Sequence, residues 1–224
     1  MPSPFPRRHL DVLLADGVST YYTQRERSVD AIRELIEAFV RFKKGNYICF
    51  FPSYAYLRMV ADRFEEQAAG LKTIVQTPDM DDAGRIRFLE QFASDNRTSL
   101  VGFAVMGGVF GEGIDLVGER LSGAVIVGVG LPAICPEREL IRGYFDGDGS
   151  GFDFAYRYPG INRVLQAAGR VIRTDRDRGV VLLVDRRFAT SAYQGLLPRH
   201  WPTAVVASHR DLEGHLRRFW HAEA

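Results

Sequence analysis

The chain has 224 residues, 46% of them hydrophobic and 25% charged, with a formal net charge of +1. This length and balance suffice for a sizeable core and exclude a wholly disordered chain. Near-neutrality excludes a bulk electrostatic grip on nucleic acid, so any such contact must come from a few placed side chains.

In chain order, the proline-rich opening (Pro2, Pro4 and Pro6) is unsuited to a signal peptide, and residues 1–9 read as a junction. A first strand is expected over 10–15. Next, Ile32, Leu35, Ile36, Phe39 and Val40 recur at helical spacing, with Ser28 placed to cap the start and Gly45 just beyond the end. A strand over 47–51 holds Cys49 as a small buried hydrophobe. Ser53 then opens a helix whose inward stripe is Leu57, Val60, Ala61 and Phe64, stopping before Gly70. A strand over 71–76 leads to a helix over 81–92 with Ile86, Leu89 and Phe92 inward. Further strands are expected over 99–105, 123–129 and 180–185. The Gly- and Asp-rich stretch 143–151 reads as an exposed loop. Residues 208–224 read as a terminal helix with Leu212, Leu216 and Trp220 on one side. Near-continuous apolar strands separated by helices predict an α/β fold over 1–224, a mostly parallel sheet flanked by helices.

Two cysteines, Cys49 and Cys135, cannot build a four-cysteine zinc or iron–sulfur site, so no metal site is expected. A reduced, cytoplasmic setting is the simpler reading. No apolar run approaches the roughly 20 residues of a bilayer span, so no membrane partner is expected.

The most informative string is Gln166-Ala167-Ala168-Gly169-Arg170-Val171-Ile172-Arg173. On a helix, Val164, Ala168, Val171 and Ile172 would face inward, while Gln166, Arg170 and Arg173 would share the opposite face. Guanidinium groups stay charged and offer planar forks to phosphate oxygens. Gly169 would allow close approach. A bare arginine pair is more often a solvated helix face; the full string followed by a strand is more specific.

That string resembles motif six (QxxGRxxR) of superfamily-two helicases, and its continuation through Asp185, Arg187 and Phe188 resembles the DinG/XPD group. Phe50-Phe51-Pro52-Ser53-Tyr54 resembles the group's motif four. Gly107-Gly108-Val109-Phe110-Gly111-Glu112-Gly113-Ile114-Asp115 resembles motif five, and Tyr22 with Arg25 resembles a YxxR element. The likeness spans about residues 5–201. It implies a RecA-like second motor domain in which Arg170 and Arg173 are arginine fingers and Gln166 senses the γ-phosphate. Glu112, Gly113 and Asp115 would join Gly169 at the ATP interface. Ser53, Tyr54, Gly107 and Gly108 would touch single-stranded DNA. For Tyr54, core packing is an equal alternative to base stacking.

No GxxxxGK[ST] loop and no DEAH-type box occurs in the sequence. ATP with magnesium is therefore expected to bind jointly with an N-terminal motor domain, and any iron–sulfur cluster would belong to that domain. This chain alone is expected to be inactive. Two rivals remain. Gly128-Val129-Gly130-Leu131-Pro132-Ala133 matches a dinucleotide fingerprint, but lacks the acidic residue that ends the next strand. The other rival is a non-catalytic nucleic-acid- or protein-binding module.

Overall fold

A computed structural model describes residues 6–108, 110, 116 and 118–221. Its strands are β1 (Leu10–Ala15), β2 (Asn46–Phe51), β3 (Lys72–Val75), β4 (Leu100–Val105), β5 (Gly123–Val127), β6 (Gly179–Val184) and β7 (Thr203–Val205). They form one sheet in the order β3-β4-β2-β5-β6-β1-β7, with every neighbouring pair parallel. All residues of β2, β5 and β6 are buried, as strands covered on both faces must be.

Helices supply the covers. One face carries α1 (Arg25–Phe42) and α2 (Tyr54–Gln67), whose Ile36, Phe39, Val60 and Phe64 meet Tyr47, Cys49 and Phe51 of β2. The other face carries α3 (Asp82–Glu90) and α5 (Tyr158–Ala168), whose Phe88, Ile161 and Val164 meet Ile48, Phe50 and Ile126. Between them in sequence lies α4 (Pro136–Phe145). The short α6 (Ser191–Gln194) follows β6, and α7 (His209–His221) buries Leu212 and Leu216 against the α1 face.

Six of the seven strands fall where the apolar runs predict them. β7 was not expected: three residues at the sheet edge, none buried, leave no periodic signal. Other expectations are corrected. Helix α1 begins at Arg25, so Ser28 lies inside it. Its hydroxyl donates to the Arg25 carbonyl at 2.7 Å and meets the Tyr56 hydroxyl at 2.6 Å instead of capping the helix. In α3, Ile86 is exposed and Phe88 is buried in its place, joined by Phe92. Asp81 caps that helix, accepting from the Gly84 N–H at 2.6 Å. The stretch 143–151 is largely helical: α4 runs to Phe145, a 3-10 turn covers Asp146–Asp148, and Gly149 closes it in the left-handed region.

The dinucleotide reading lacks its geometry. Residues 131–135 after Gly130 are not helical, so no helix N-terminus follows the glycines to receive a pyrophosphate. Gly130 (φ +69) instead packs directly against α5, and a Cβ there would sit 2.5 Å from the Gly160 carbonyl oxygen. Left-handed strain and backbone overlap would act together. Gly130→Ala is expected to lower stability by about 2–4 kcal/mol, read as a lower urea midpoint with an unchanged slope.

Candidate functional site

Helices seal both faces of the sheet, so functional groups gather at the strand ends. At the carboxyl edge, Ser53 caps α2, its Oγ accepting from the Tyr56 N–H at 3.4 Å and from Arg25 Nη1 at 3.3 Å. The Arg25 guanidinium lies 5.2 Å from the Tyr22 ring centre and 5.0 Å from that of Tyr56. Burial lowers its pKa, and the two tyrosines partly counter that. Tyr22 is 82% exposed, so one face of this stack is open to a ligand. The YxxR pair is thus a physical unit.

Tyr54 is half-buried, a position between the two expected roles. Its hydroxyl accepts from Gln76 Nε2 at 2.9 Å, while Gln76 Oε1 accepts from the Val105 N–H at 2.8 Å. Gln76, itself buried, therefore ties α2 to the end of β4, just before Gly107 and Gly108. Gly107 (φ +72) has the Arg163 side chain against it: an added Cβ would meet Arg163 Nε at 2.9 Å. Burial lowers the Arg163 pKa, and the like charge of Arg138 adds to this. A positive charge thus packs directly against Gly107.

Across the same edge, the buried Asp185 closes β6. Burial alone would raise its pKa. Arg187, through Nε at 2.8 Å and Nη2 at 2.8 Å, and the Thr20 hydroxyl outweigh that penalty and hold the carboxyl below its ordinary value. The Arg187 guanidinium also lies 4.5 Å from the Tyr21 ring centre. Two tyrosines backed by two arginines therefore stand side by side in sequence.

The arginine string sits at the opposite edge. Helix α5 ends at Ala168 with Gly169 as its C-cap, so Arg170 lies in a turn and Arg173 in the irregular loop that follows. The single helical face expected for Gln166, Arg170 and Arg173 is corrected accordingly: Gly169 ends the helix before either arginine. Gln166 and Gly169 are exposed, and Arg170 and Arg173 half-buried. The apolar half of the expectation holds, since Val164, Ala168, Val171 and Ile172 are all buried.

Asp177 organises this loop. Its carboxylate accepts from the backbone N–H groups of Arg173 at 2.7 Å, Thr174 at 2.8 Å and Gly118 at 3.0 Å. Burial opposes ionisation here, and those donors overcome it, so the pKa is lowered. Glu112, Gly113 and Asp115 lie outside the described residues. Among those described, no group of three or more His, Cys, Asp or Glu is arranged to hold a metal, and no helix is long and apolar enough to cross a membrane.

The sequence assigns no site role to Gln76, Asp177 or Arg163, and names Asp185 only within the string that carries the family resemblance. Arg163 had a usable signal, three residues before Gln166 on one helix. The other three show their role only through the partners that folding supplies: Tyr54 and the Val105 N–H for Gln76, backbone N–H groups for Asp177, and Thr20 with Arg187 for Asp185.

A family model for the helicase C-terminal domain matches residues 36–204. A protein of Methanocaldococcus jannaschii named a probable ATP-dependent helicase is 29% identical over 209 residues, covering 84% of this chain and 30% of its own length. The ATP-dependent DNA helicase YoaA of Haemophilus influenzae is 26% identical over 175 residues, covering 76% of this chain and 26% of its own. The chain thus spans under a third of either relative. Among solved structures, an apo XPD shares the fold with a TM-score of 0.68 at 21% identity, covering 88% of this chain and 40% of its own.

The Asp185 cluster gives a test by pH. A depressed carboxyl stabilises the fold fully above its unfolded pKa, near 3.8, and loses that contribution as pH falls through the folded value. Asp185→Asn is therefore expected to be less stable than the wild type at pH 7, with the gap narrowing below about pH 4. Urea midpoints across that range would show it; a constant gap would rule the linkage out.

Proposed function

We propose, from the premise that the chain belongs to the helicase C-terminal domain family, that it is the second motor domain of an ATP-driven DNA helicase of the DinG/XPD type. The observation that carries this reading is the Gln166–Arg173 string, held at a fixed helix end inside the matched region. The sequence offers no phosphate loop of its own, so the triphosphate and its magnesium are gripped by a first motor domain.

Arg170 and Arg173 reach across to that triphosphate. Their guanidiniums suit the charge that builds on its oxygens in the transition state, a contribution of roughly a thousandfold or more in rate. Gln166, on the last turn of α5, reports the γ-phosphate, and Gly169 leaves room for approach. Glu112, Gly113 and Asp115 belong to the same closing interface. Chain order supports this, since the segment they occupy connects Gly108 at the carboxyl edge to Gly118, which Asp177 ties to the arginine loop.

Single-stranded DNA crosses the carboxyl edge. Ser53 offers a hydroxyl at a helix N-terminus to a phosphate. Gly107 and Gly108 let the backbone come close to Arg163, and Tyr54 borders the path with its hydroxyl held by Gln76. The open face of Tyr22, backed by Arg25, is shaped to stack a base. Closing on ATP and opening after hydrolysis would step the two domains along the strand. A nucleic-acid motor accounts for both edges; a binding module accounts for only one.

Two measurements test this. In the full-length polypeptide, Arg170→Ala should reduce ATP turnover by about a thousandfold while nucleotide binding changes little; undiminished turnover removes the finger assignment. In this chain, Tyr22→Ala should weaken single-stranded DNA binding about 5- to 100-fold, the worth of one stacked base. Fluorescence anisotropy with a labelled oligonucleotide reads it, and equal binding by both proteins refutes the track.

A further inference from the structure

Helix α7 lies beyond residue 204, where the family match ends, and no role follows for it from that match. Its buried Leu212 and Leu216 account for its attachment to the sheet. They do not account for its last turn, which carries Phe219, Trp220 and His221 past the end of α1 toward the loop that bears the arginines.

There the contacts are specific. Arg178, the residue between Asp177 and β6, donates from Nη2 to the Phe219 carbonyl. Its guanidinium lies 4.7 Å from the Phe219 ring centre and 5.8 Å from that of Trp220. Lys43, at the end of α1, lies 3.8 Å from the same Trp220 ring. The last carbonyls of a helix have no partner within it and carry its negative end, so a cation is the natural cap. Arg178 and Lys43 both serve the end of α7, and Arg178 belongs to the arginine loop.

That loop spans ten residues, from Gly169 to Arg178. Val171 and Ile172 anchor its first half in the core. Asp177 gathers the backbone of Arg173 and Thr174 in its second half. Arg178 connects that half to a helix on the opposite face of the sheet. We propose that α7 is a brace on the arginine loop, with Trp220 as a positioning residue that fixes Arg173 through Arg178 and Asp177. The proposal rests on the finger reading above, and its test separates the two.

On this chain, Trp220→Ala should speed backbone hydrogen exchange over residues 173–178 at least tenfold and leave Leu182 in β6 within about twofold. Trp220→Phe keeps a ring under Lys43 and Arg178 and should restore most of the protection. In the full-length polypeptide, Trp220→Ala should lower kcat for ATP about tenfold with KM within about twofold, again with rescue by Trp220→Phe. A helix that merely completes the core would show exchange rising equally through β6, or no change over 173–178, and either overturns the brace. So does an unchanged kcat when exchange has risen. If Arg170→Ala keeps full turnover, the finger reading fails instead, and the exchange pattern alone decides whether α7 braces the loop.

Discussion

A parallel sheet sealed by helices on both faces can present chemistry only at its two rims. Every residue of β2, β5 and β6 is buried, so no side chain from the middle of these strands reaches solvent or ligand. Parallel strands also send all their carboxyl ends to one rim and all their amino ends to the other. The remaining features of the molecule follow from that sorting. Ser53, Gln76, Gly107 and Asp185 each follow a strand, and Gly118, Asp177 and Arg178 each precede one.

The rims solve the same electrostatic problem in two ways. Each holds a buried carboxylate flanking β6, with Asp177 before it and Asp185 after it, and burial alone would drive both toward neutrality. Asp177 is kept charged by three backbone N–H groups, which are fixed once the chain is folded. Asp185 is kept charged by Arg187 and Thr20, side chains that also stand next to Tyr21. One acid shapes a loop, and the other supports a surface. With a net charge of only +1, charge in this protein acts through such local placement and not through a bulk field.

The layers were legible in the sequence because burial leaves a periodic trace. The runs through Leu13, Cys49 and Leu182 are continuous for the reason that both their faces are covered. What was not legible had no period to leave. β7 is too short, and the helical part of 143–151 packs no residue of α4 into the core, so its composition looked like that of a loop. Ser28 had the chemistry of a cap, but Tyr56, 28 residues away, competes for its hydroxyl. In the arginine string the inward residues were read correctly while the outward face was not. The helix ends at Gly169, which stays right-handed, and the chain leaves it through tighter turns in which the Arg170 N–H bonds to Ala167 and that of Val171 to Ala168, so the rod stops short of both arginines.

The end of α5 changes how the string can work. On a helix, three side chains would be held by the rod itself. In a turn, each arginine is only as well placed as the contacts that hold its backbone, which explains the density of anchors around it: Val171 in the core, Asp177 on the peptide N–H groups and Arg178 against α7. One of those anchors, through Gly118, also holds the exit of the segment that starts at Gly107 and Gly108. A displacement at the glycines on one rim therefore has a covalent path, about ten residues long, to the loop on the other. The sheet between the rims is some 17 Å across at about 3.3 Å per residue and too closely packed to deform smoothly. On the proposed function, a signal between the rims would then pass through such connecting segments and the groups that pin their ends, not through the strands themselves.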